Sequence, residues 1–394
     1  MMIAIGKPYV SDFLLESIQK SNYPVISTAE AREVIKGNRV NWISEIEAKE
    51  LLKEKSGTKV YTNSENTIGW LENNATHGPL PEQIQLFKNK IRFRELLAGI
   101  YPDYYFQGVE FSRLREMDAG KLNFPFIIKP AVGFFSVAVH RVENRDEWHQ
   151  VLDLIDIEVK AWEGTYPREV IDTSEFIIEE CIEGEEYAID CYFNQKGEPV
   201  ILNILHHLFS SGKDVSDRVY TTSENIINQH KEGVQKFLEM IGSKTGLANF
   251  PLHVEVRIDQ KGMIIPIEIN PLRFGGWCTT GDLTWYAYGI NSYDSYFNEK
   301  QPLWDEIFRT RKDKKFSVVV LDNNSGYPEK QIESFNFQLI ASDFEKILDI
   351  REVDFRTYGV FGFLFVETSS GNEDELTRIL TSDLRRYIIL KGSQ

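Results

Sequence analysis

The stretch HVEVRIDQKGMIIPIEINPLRFGGWC, His253 to Cys278, reads as a β-hairpin running into a glycine-rich loop. Val254, Val256 and Ile258 alternate with His253, Glu255, Arg257 and Asp259, and Ile265, Ile267 and Ile269 alternate with Pro266, Glu268 and Asn270. A period of two marks half-buried strands, and Gln260-Lys261-Gly262 supplies the turn. A tight closure there sets Glu255 across from Glu268, with Asn270 one pleat further along the same face. Two carboxylates opposed on a sheet repel by roughly 0.2–1 kcal/mol, so the pattern asks for a cation between them. Two Glu and one Asn amide are all-oxygen donors, which suit Mg²⁺ shared with phosphate oxygens.

Working outward, the chain has 394 residues, room for two or three domains. With 42% hydrophobic and 26% charged residues the composition is that of a soluble globular protein. A formal charge of −16 argues against nucleic acid or an anionic membrane as partner, since either needs a basic face. No apolar run approaches the roughly eighteen residues of a membrane span, and the opening MMIAIGKPYV lacks the pattern of a signal peptide. Cys181, Cys191 and Cys278 have no metal-type spacing, and a reduced, cytoplasmic setting is expected.

Residues 1–80 read as an α/β domain, with strands at Ile3–Ile5 and Lys59–Thr62 and helices at Ser11–Lys20, Ala29–Ile35 and Ile43–Lys55. The linker Thr76–Pro81 closes it. One amphipathic helix is expected from Pro81, burying Ile84, Phe87, Ile91 and Leu97 and carrying Lys88, Lys90, Arg92 and Arg94. That basic cluster is either a solvated face or an anion site. FPFIIKPAVGFFSVAVHRV then gives strand, glycine turn and strand, with Lys129-Pro130 ending the first strand. Lys129 before a Gly/Ser turn is placed for a phosphate or is part of an ordinary hairpin. Helices follow at Arg145–Ile157 and Ile226–Ile241, and strands at Phe176–Glu180, after Gly184, and at Pro199–His206. His206 and His207 are adjacent in a strand, so they face opposite ways and do not make a metal pair. A C-terminal α/β module, 301–394, is expected to have strands at Phe316–Leu321 and Val360–Glu367 and helices at Ser342–Leu348 and Glu373–Tyr387.

From Lys90 to Gly276 this order of elements resembles the ATP-grasp superfamily of carboxylate–amine or carboxylate–thiol ligases. The shared parts are a lysine helix, strand-Lys-Pro with a glycine loop, Glu-Glu through Gly-Glu-Glu, and the hairpin ending in Glu-x-Asn-Pro and Gly-Gly. The first hairpin Glu lies thirteen positions before the Glu of Glu-x-Asn, a spacing common in that family. The resemblance implies a mixed α+β and α/β chain: an ATP-grasp fold of two α+β subdomains clasping ATP over 81–300, flanked by the two smaller α/β units.

Carried over by position, the resemblance implies that Lys90 and Lys129 contact phosphates and that Gly133 to Ser136 form a flap over them. Glu179, Glu180 and the backbone through Ile182 would form the adenine hinge, and Glu186 would hold the ribose. Lys213 or Arg218 would reach the outer phosphate, Arg273 would hold the carboxylate or acyl phosphate, and Glu255, Glu268 and Asn270 would carry Mg²⁺. The sequence departs from the family in placing Leu272 between Asn-Pro and Arg273, and in filling the flap with Phe134, Phe135, Val137 and Ala138. The activity implied is ATP-dependent formation of an acyl phosphate from a small carboxylate, attacked by an amine, in a protein for which a homodimer is an open assembly. A kinase-like phosphotransferase and a non-catalytic nucleotide-binding regulator are the alternatives.

Overall fold

The computed structural model describes residues 1–36, 39–54, 57–133, 138–162, 172–211, 214 and 216–392. The N-terminal unit is a parallel sheet of β1 (Met2–Ala4), β2 (Pro24–Ile26), β3 (Asn41–Ile43) and β4 (Val60–Thr62), in the order β3-β2-β1-β4. Its first helix, Asp12–Ser21, starts on Ser11, whose Oγ accepts from Leu14 N at 3.0 Å, and ends on Asn22 in a left-handed conformation. Asn41–Ile43 is an edge strand, so the third helix begins at Glu45 and not at Ile43.

The single helix expected after Pro81 is two. Asn89 is extended and caps a second helix by accepting from Ile91 N and Arg92 N at 3.0 and 3.1 Å, which separates Leu80–Lys88 from Lys90–Leu97. This break turns the basic cluster inward: Lys88, Lys90 and Arg94 are buried, and only Arg92 stays partly in solvent, paired with Glu82.

Two antiparallel sheets follow. The smaller joins β5 (Phe106–Glu110), β6 (Phe126–Val132), β7 (His140–Val142) and β8 (Asp172–Glu180) in the order β5-β8-β6-β7. Contrary to expectation, β6 continues through Pro130 to Val132. It pairs with β7 only over Phe126–Ile128, so at Pro130 it is an edge on that side, where a sheet tolerates proline. The larger sheet contains β9 (Glu185–Phe193), β10 (Pro199–Leu208), β11 (Val219–Ser223), β12 (Phe250–Ile258) and β13 (Ile264–Pro271). It runs on through β14 (Lys314–Asp322), β16 (Lys346–Glu352) and β17 (Val360–Ser369), in the order β13-β12-β9-β10-β11-β14-β17-β16. A short ribbon pairs β15 (Ile332–Phe335) with β18 (Ile388–Leu390).

The C-terminal segment therefore extends the sheet that carries the hairpin while packing a core of its own around Val319, Phe335, Phe361 and Leu376. Ser342–Leu348 is not a helix: KILDIRE, Lys346–Glu352, alternates in strand fashion and closes the edge of β17. The last α-helix is Asp374–Leu380; Leu384 then turns left-handed, one 3-10 turn follows at Arg385–Tyr387, and the chain leaves as β18. The largest core is shared between the N-terminal unit and the eight-stranded sheet, through Ile84, Phe87, Phe93 and Phe250. No helix among the described residues is long and apolar enough to cross a membrane.

Candidate active site

The hairpin closes in the expected register. Glu255 pairs with Glu268 and His253 with Asn270, with a bulge between Glu255 and Val256. Because β12 also pairs with β9, placing His253 beside Asp190 and Glu255 beside Ala188, the face that bears the two glutamates includes Asp190 and Glu186. Both hairpin glutamates keep about a quarter of their side chains exposed, at 23% and 24%. Burial and the charge of Glu268 push the Glu255 carboxyl up. Burial acts on Glu268 too, but Lys90, the Asn270 amide and Lys129 outweigh it and hold Glu268 down. Asn270 Nδ2 donates to Glu268 Oε1 at 3.0 Å, so its amide oxygen is the atom that can ligate a cation. Among the described residues no three His, Cys, Asp or Glu side chains are arranged as a metal site. Two carboxylates and one amide fit a hard cation whose remaining ligands come from a bound anion or water.

Cations surround this face. Lys90 Nζ lies 3.4 Å from Glu268 Oε2 and donates to Gly133 O at 3.2 Å, which brings the helix, the hairpin and the start of the glycine turn together. Lys129 Nζ is 2.5 Å from Glu179 Oε1, and Arg94 Nε donates to Glu179 Oε2 at 2.7 Å. Burial works to raise the Glu179 carboxyl, but Lys129 and Arg94 bring it down to about 2. Arg94 Nη1 also donates to Pro266 O at 2.6 Å, tying the helix to the hairpin. Arg257 donates to Glu186 Oε2 at 3.1 Å and to Ile182 O at 3.0 Å, while His207 Nδ1 meets Glu186 Oε1 at 2.9 Å. Gly184, at φ +111°, lies where a Cβ would stand 2.5 Å from Ile258 O, so the turn into β9 requires glycine.

Residues 122–281 match the family model of the ATP-grasp domain. The chain carries an ATP-grasp domain. The fold as a whole is similar to that of L-amino acid ligase from Bacillus licheniformis, at 16% identity and a TM-score of 0.70, over 100% of this chain and 98% of that one. N5-carboxyaminoimidazole ribonucleotide synthetase from Thermotoga maritima gives 16% identity and a TM-score of 0.62, over 99% and 98% of the two chains. Biotin carboxylase from Campylobacter jejuni, solved as a complex with β-γ-ATP, gives 12% and 0.63, over 99% and 92%. No curated protein sequence matches the chain.

Of the site residues expected from the sequence, Lys90, Gly133, Glu186, Glu255, Glu268 and Asn270 come together around the hairpin, and Lys129 of the smaller sheet lies near enough for its charge to act on Glu268. Three are placed differently. Arg218, just before β11, is buried, its Nη2 paired with Asp322 at 2.7 Å and its Nη1 donating to Ser382 O at 3.2 Å, so its guanidinium holds the C-terminal segment and is not turned to the hairpin glutamates. Glu179 is not hinge: its backbone lies within β8, between Phe106 of β5 and Ile127 of β6, and its carboxylate is held by two cations. Glu180 also ends a paired strand, accepting Tyr104 OH on its carbonyl at 3.2 Å, and the segment between β8 and β9 is Cys181–Gly184. Ser136 and Lys213 fall outside the described residues.

Other groups at the site have no motif to announce them. His253 Nδ1 is 2.7 Å from Asp190 Oδ1 and its Nε2 3.5 Å from Glu255 Oε1; burial opposes its charge, but the two carboxylates raise it to about 9. Asp190 Oδ1 also accepts from Gly275 N at 3.2 Å, which fixes the glycine loop against β9. The alternation Glu186, Asp190 on one strand and His253, Glu255 on the next was the available signal. Glu65, where Lys88 and Arg273 meet, had none.

Proposed function

We propose that the chain is an ATP- and Mg²⁺-dependent ligase that converts a small carboxylate to an acyl phosphate and passes the acyl group to an amine, releasing ADP and phosphate. The observation that carries this reading is the cross-strand pair Glu255–Glu268 with Lys90 beside it, Lys129 near enough for its charge to act on Glu268, and Arg273 at the end of β13. Phosphoryl transfer needs positioning and cancellation of phosphate charge more than covalent help. In this assignment Lys90 and Lys129 bind phosphate oxygens, exchanging Glu268 and Glu179 for them as ATP enters. Glu255, Glu268 and the Asn270 oxygen would hold Mg²⁺, which would supply positive charge against the phosphates. Glu186, oriented by His207 and Arg257, accepts the ribose hydroxyls, and the Cys181–Gly184 hinge meets the base. Arg273 offers a planar guanidinium to the carboxylate or acyl phosphate.

In the same reading, residues 81–300 carry ATP, while 1–80 and 301–394 wall the carboxylate and amine. The L-amino acid ligase likeness makes amino acids the first carboxylates to try. The test is ADP release over a panel of L-amino acids, singly and in pairs, with Mg²⁺. Release that needs both an activated carboxylate and an amine is expected. ADP release without orthophosphate, leaving the compound phosphorylated, replaces the ligase with a kinase, and nucleotide binding without turnover makes the chain a regulator. Glu268→Gln is expected to lower Mg²⁺-dependent release by about a thousandfold with the fold intact, and full activity in that variant would remove the metal assignment.

A further inference from the structure

Arg273 is not aimed by its own loop. Leu272, the residue that separates Asn-Pro from the arginine, takes a left-handed φ of 63° and is buried; its N–H donates to Pro251 O at 2.9 Å and its carbonyl accepts from Thr62 N at 2.8 Å. The extra residue thus docks the end of β13 onto the end of β4. Three residues past Thr62, in the turn that follows, stands Glu65, with 8% of its side chain exposed. Glu65 Oε1 accepts from Arg273 Nη2 at 2.6 Å and from Nε at 3.2 Å, while Oε2 pairs with Lys88. Arg273 Nη1 donates to Phe274 O at 2.9 Å. A guanidinium has five N–H groups. Among the described residues three of them have acceptors, which leaves one on each Nη. The charges of Glu268 and Glu255 reach Arg273 and favour its cationic form, so the guanidinium lies within the field of the metal face.

We infer that Glu65, a residue of the N-terminal unit, is the positioning residue that fixes the Arg273 guanidinium by one edge, so that its two free N–H groups are presented to the phosphoryl group being transferred. The inference rests on the ligase reading for the role of Arg273. Asn63 ties the same turn to the Gly6–Tyr9 loop, donating to Gly6 O at 2.9 Å and to Tyr9 O at 2.6 Å. The N-terminal unit thereby takes part in aligning the reacting centre as well as in walling it. Lys88 balances the carboxylate so that Glu65 stays ionised while buried: burial opposes that charge, and Lys88 with Arg273 holds the carboxyl far below its usual range.

A carboxylate beside an anion site gives the test a sign. Coulomb's law alone says that removing its negative charge tightens phosphate binding; loss of positioning says the reverse. Orthophosphate binding to the MgADP complex, followed by calorimetry, is expected to weaken about tenfold or more in Glu65→Gln. In Glu65→Gln/Lys88→Met, which restores the buried charge balance, the melting temperature recovers toward wild type while phosphate affinity does not. Unchanged or tighter phosphate binding in Glu65→Gln, recovery of affinity along with stability in the double variant, or no phosphate binding by the wild-type MgADP complex each overturns the inference. Phosphate binding that follows the expected order in a protein that releases no ADP on any amino-acid panel removes the ligase reading and leaves the Glu65 role standing. ADP release in wild type with equal phosphate affinity in Glu65→Gln does the opposite.

Discussion

Two buried triads flank the candidate site, each a glutamate between two cations, and they are built from different kinds of chain. In Arg94–Glu179–Lys129 the carboxylate sits inside β8, paired on both sides, and its cations come from the neighbouring strand and the helix packed there. In Lys88–Glu65–Arg273 it sits in a one-turn helix after β4, and its cations arrive from the helix Leu80–Lys88 and from the loop after β13. A buried ion pair is weak evidence for net stabilisation, since desolvation offsets most of the attraction. Placement is the better account of both. A carboxylate on a paired strand cannot shift, so Glu179 gives Lys129 a fixed resting point. A carboxylate in a turn can hold Arg273 only because Thr62 N–Leu272 O and the Asn63 bonds hold the turn itself.

The comparison is broken most severely at Glu179. Glu179→Ala leaves Arg94 and Lys129 buried without their counter-charge and is expected to cost about 3–5 kcal/mol of unfolding free energy, measured as a lowered urea midpoint. Glu65→Ala is expected to cost less, about 2 kcal/mol, because Arg273 keeps 11% of its side chain exposed and can swing toward water, whereas the Arg94 side chain has 3%. Equal losses would mean that the turn is as rigid as the strand.

The same contrast decides what could be read in the sequence. The hairpin register, the Glu255–Glu268 pair and the opposite facing of His206 and His207 follow from strict alternation, because a period of two leaves no choice of face once one residue is fixed. His206 stacks on Tyr187 while His207 bonds Glu186, as that alternation requires. Glu179 and Lys129 were visible as residues but not as partners, since partnership depends on the β6–β8 register. Glu65 was invisible: its partners are 23 and 208 positions away, and nothing local in Asn-Ser-Glu-Asn announces them. Arg218 shows the converse, a charged residue in the expected loop that a C-terminal core had already claimed. The error at Ser342–Leu348 has a similar cause, because KILDIRE becomes a strand only where β17 offers an edge.

A smaller effect distinguishes the first triad by pH. The Glu179 carboxyl sits near 2 when folded and near an ordinary value of about 4.3 when unfolded. Between those values the unfolded chain binds the proton and the native one does not, so stability falls as the pH falls through that window and is fully present above it. Glu179→Gln is expected to flatten the acid limb of a stability profile, by roughly 1.4 kcal/mol for each pH unit across that window. A variant whose acid limb is as steep as that of wild type would show that other carboxylates carry it.

The smallest effect is expected next door. Arg92 lies two residues before Arg94 and so projects from the other side of the helix; its pair with Glu82 leaves the two side chains 38% and 71% exposed. An ion pair in that setting is worth between nothing and about 1 kcal/mol. Arg92→Ala should therefore shift the urea midpoint by no more than a few tenths of a molar unit, about 0.5 kcal/mol, and leave nucleotide affinity alone. Arg94→Ala strands Glu179 beside Lys129 and frees Pro266 O, so it should weaken both stability and nucleotide binding. If Arg92→Ala instead weakens nucleotide binding as strongly as Arg94→Ala, the basic cluster acts through its summed field rather than through two built contacts, and the contrast between solvated and buried cations on this helix loses its meaning.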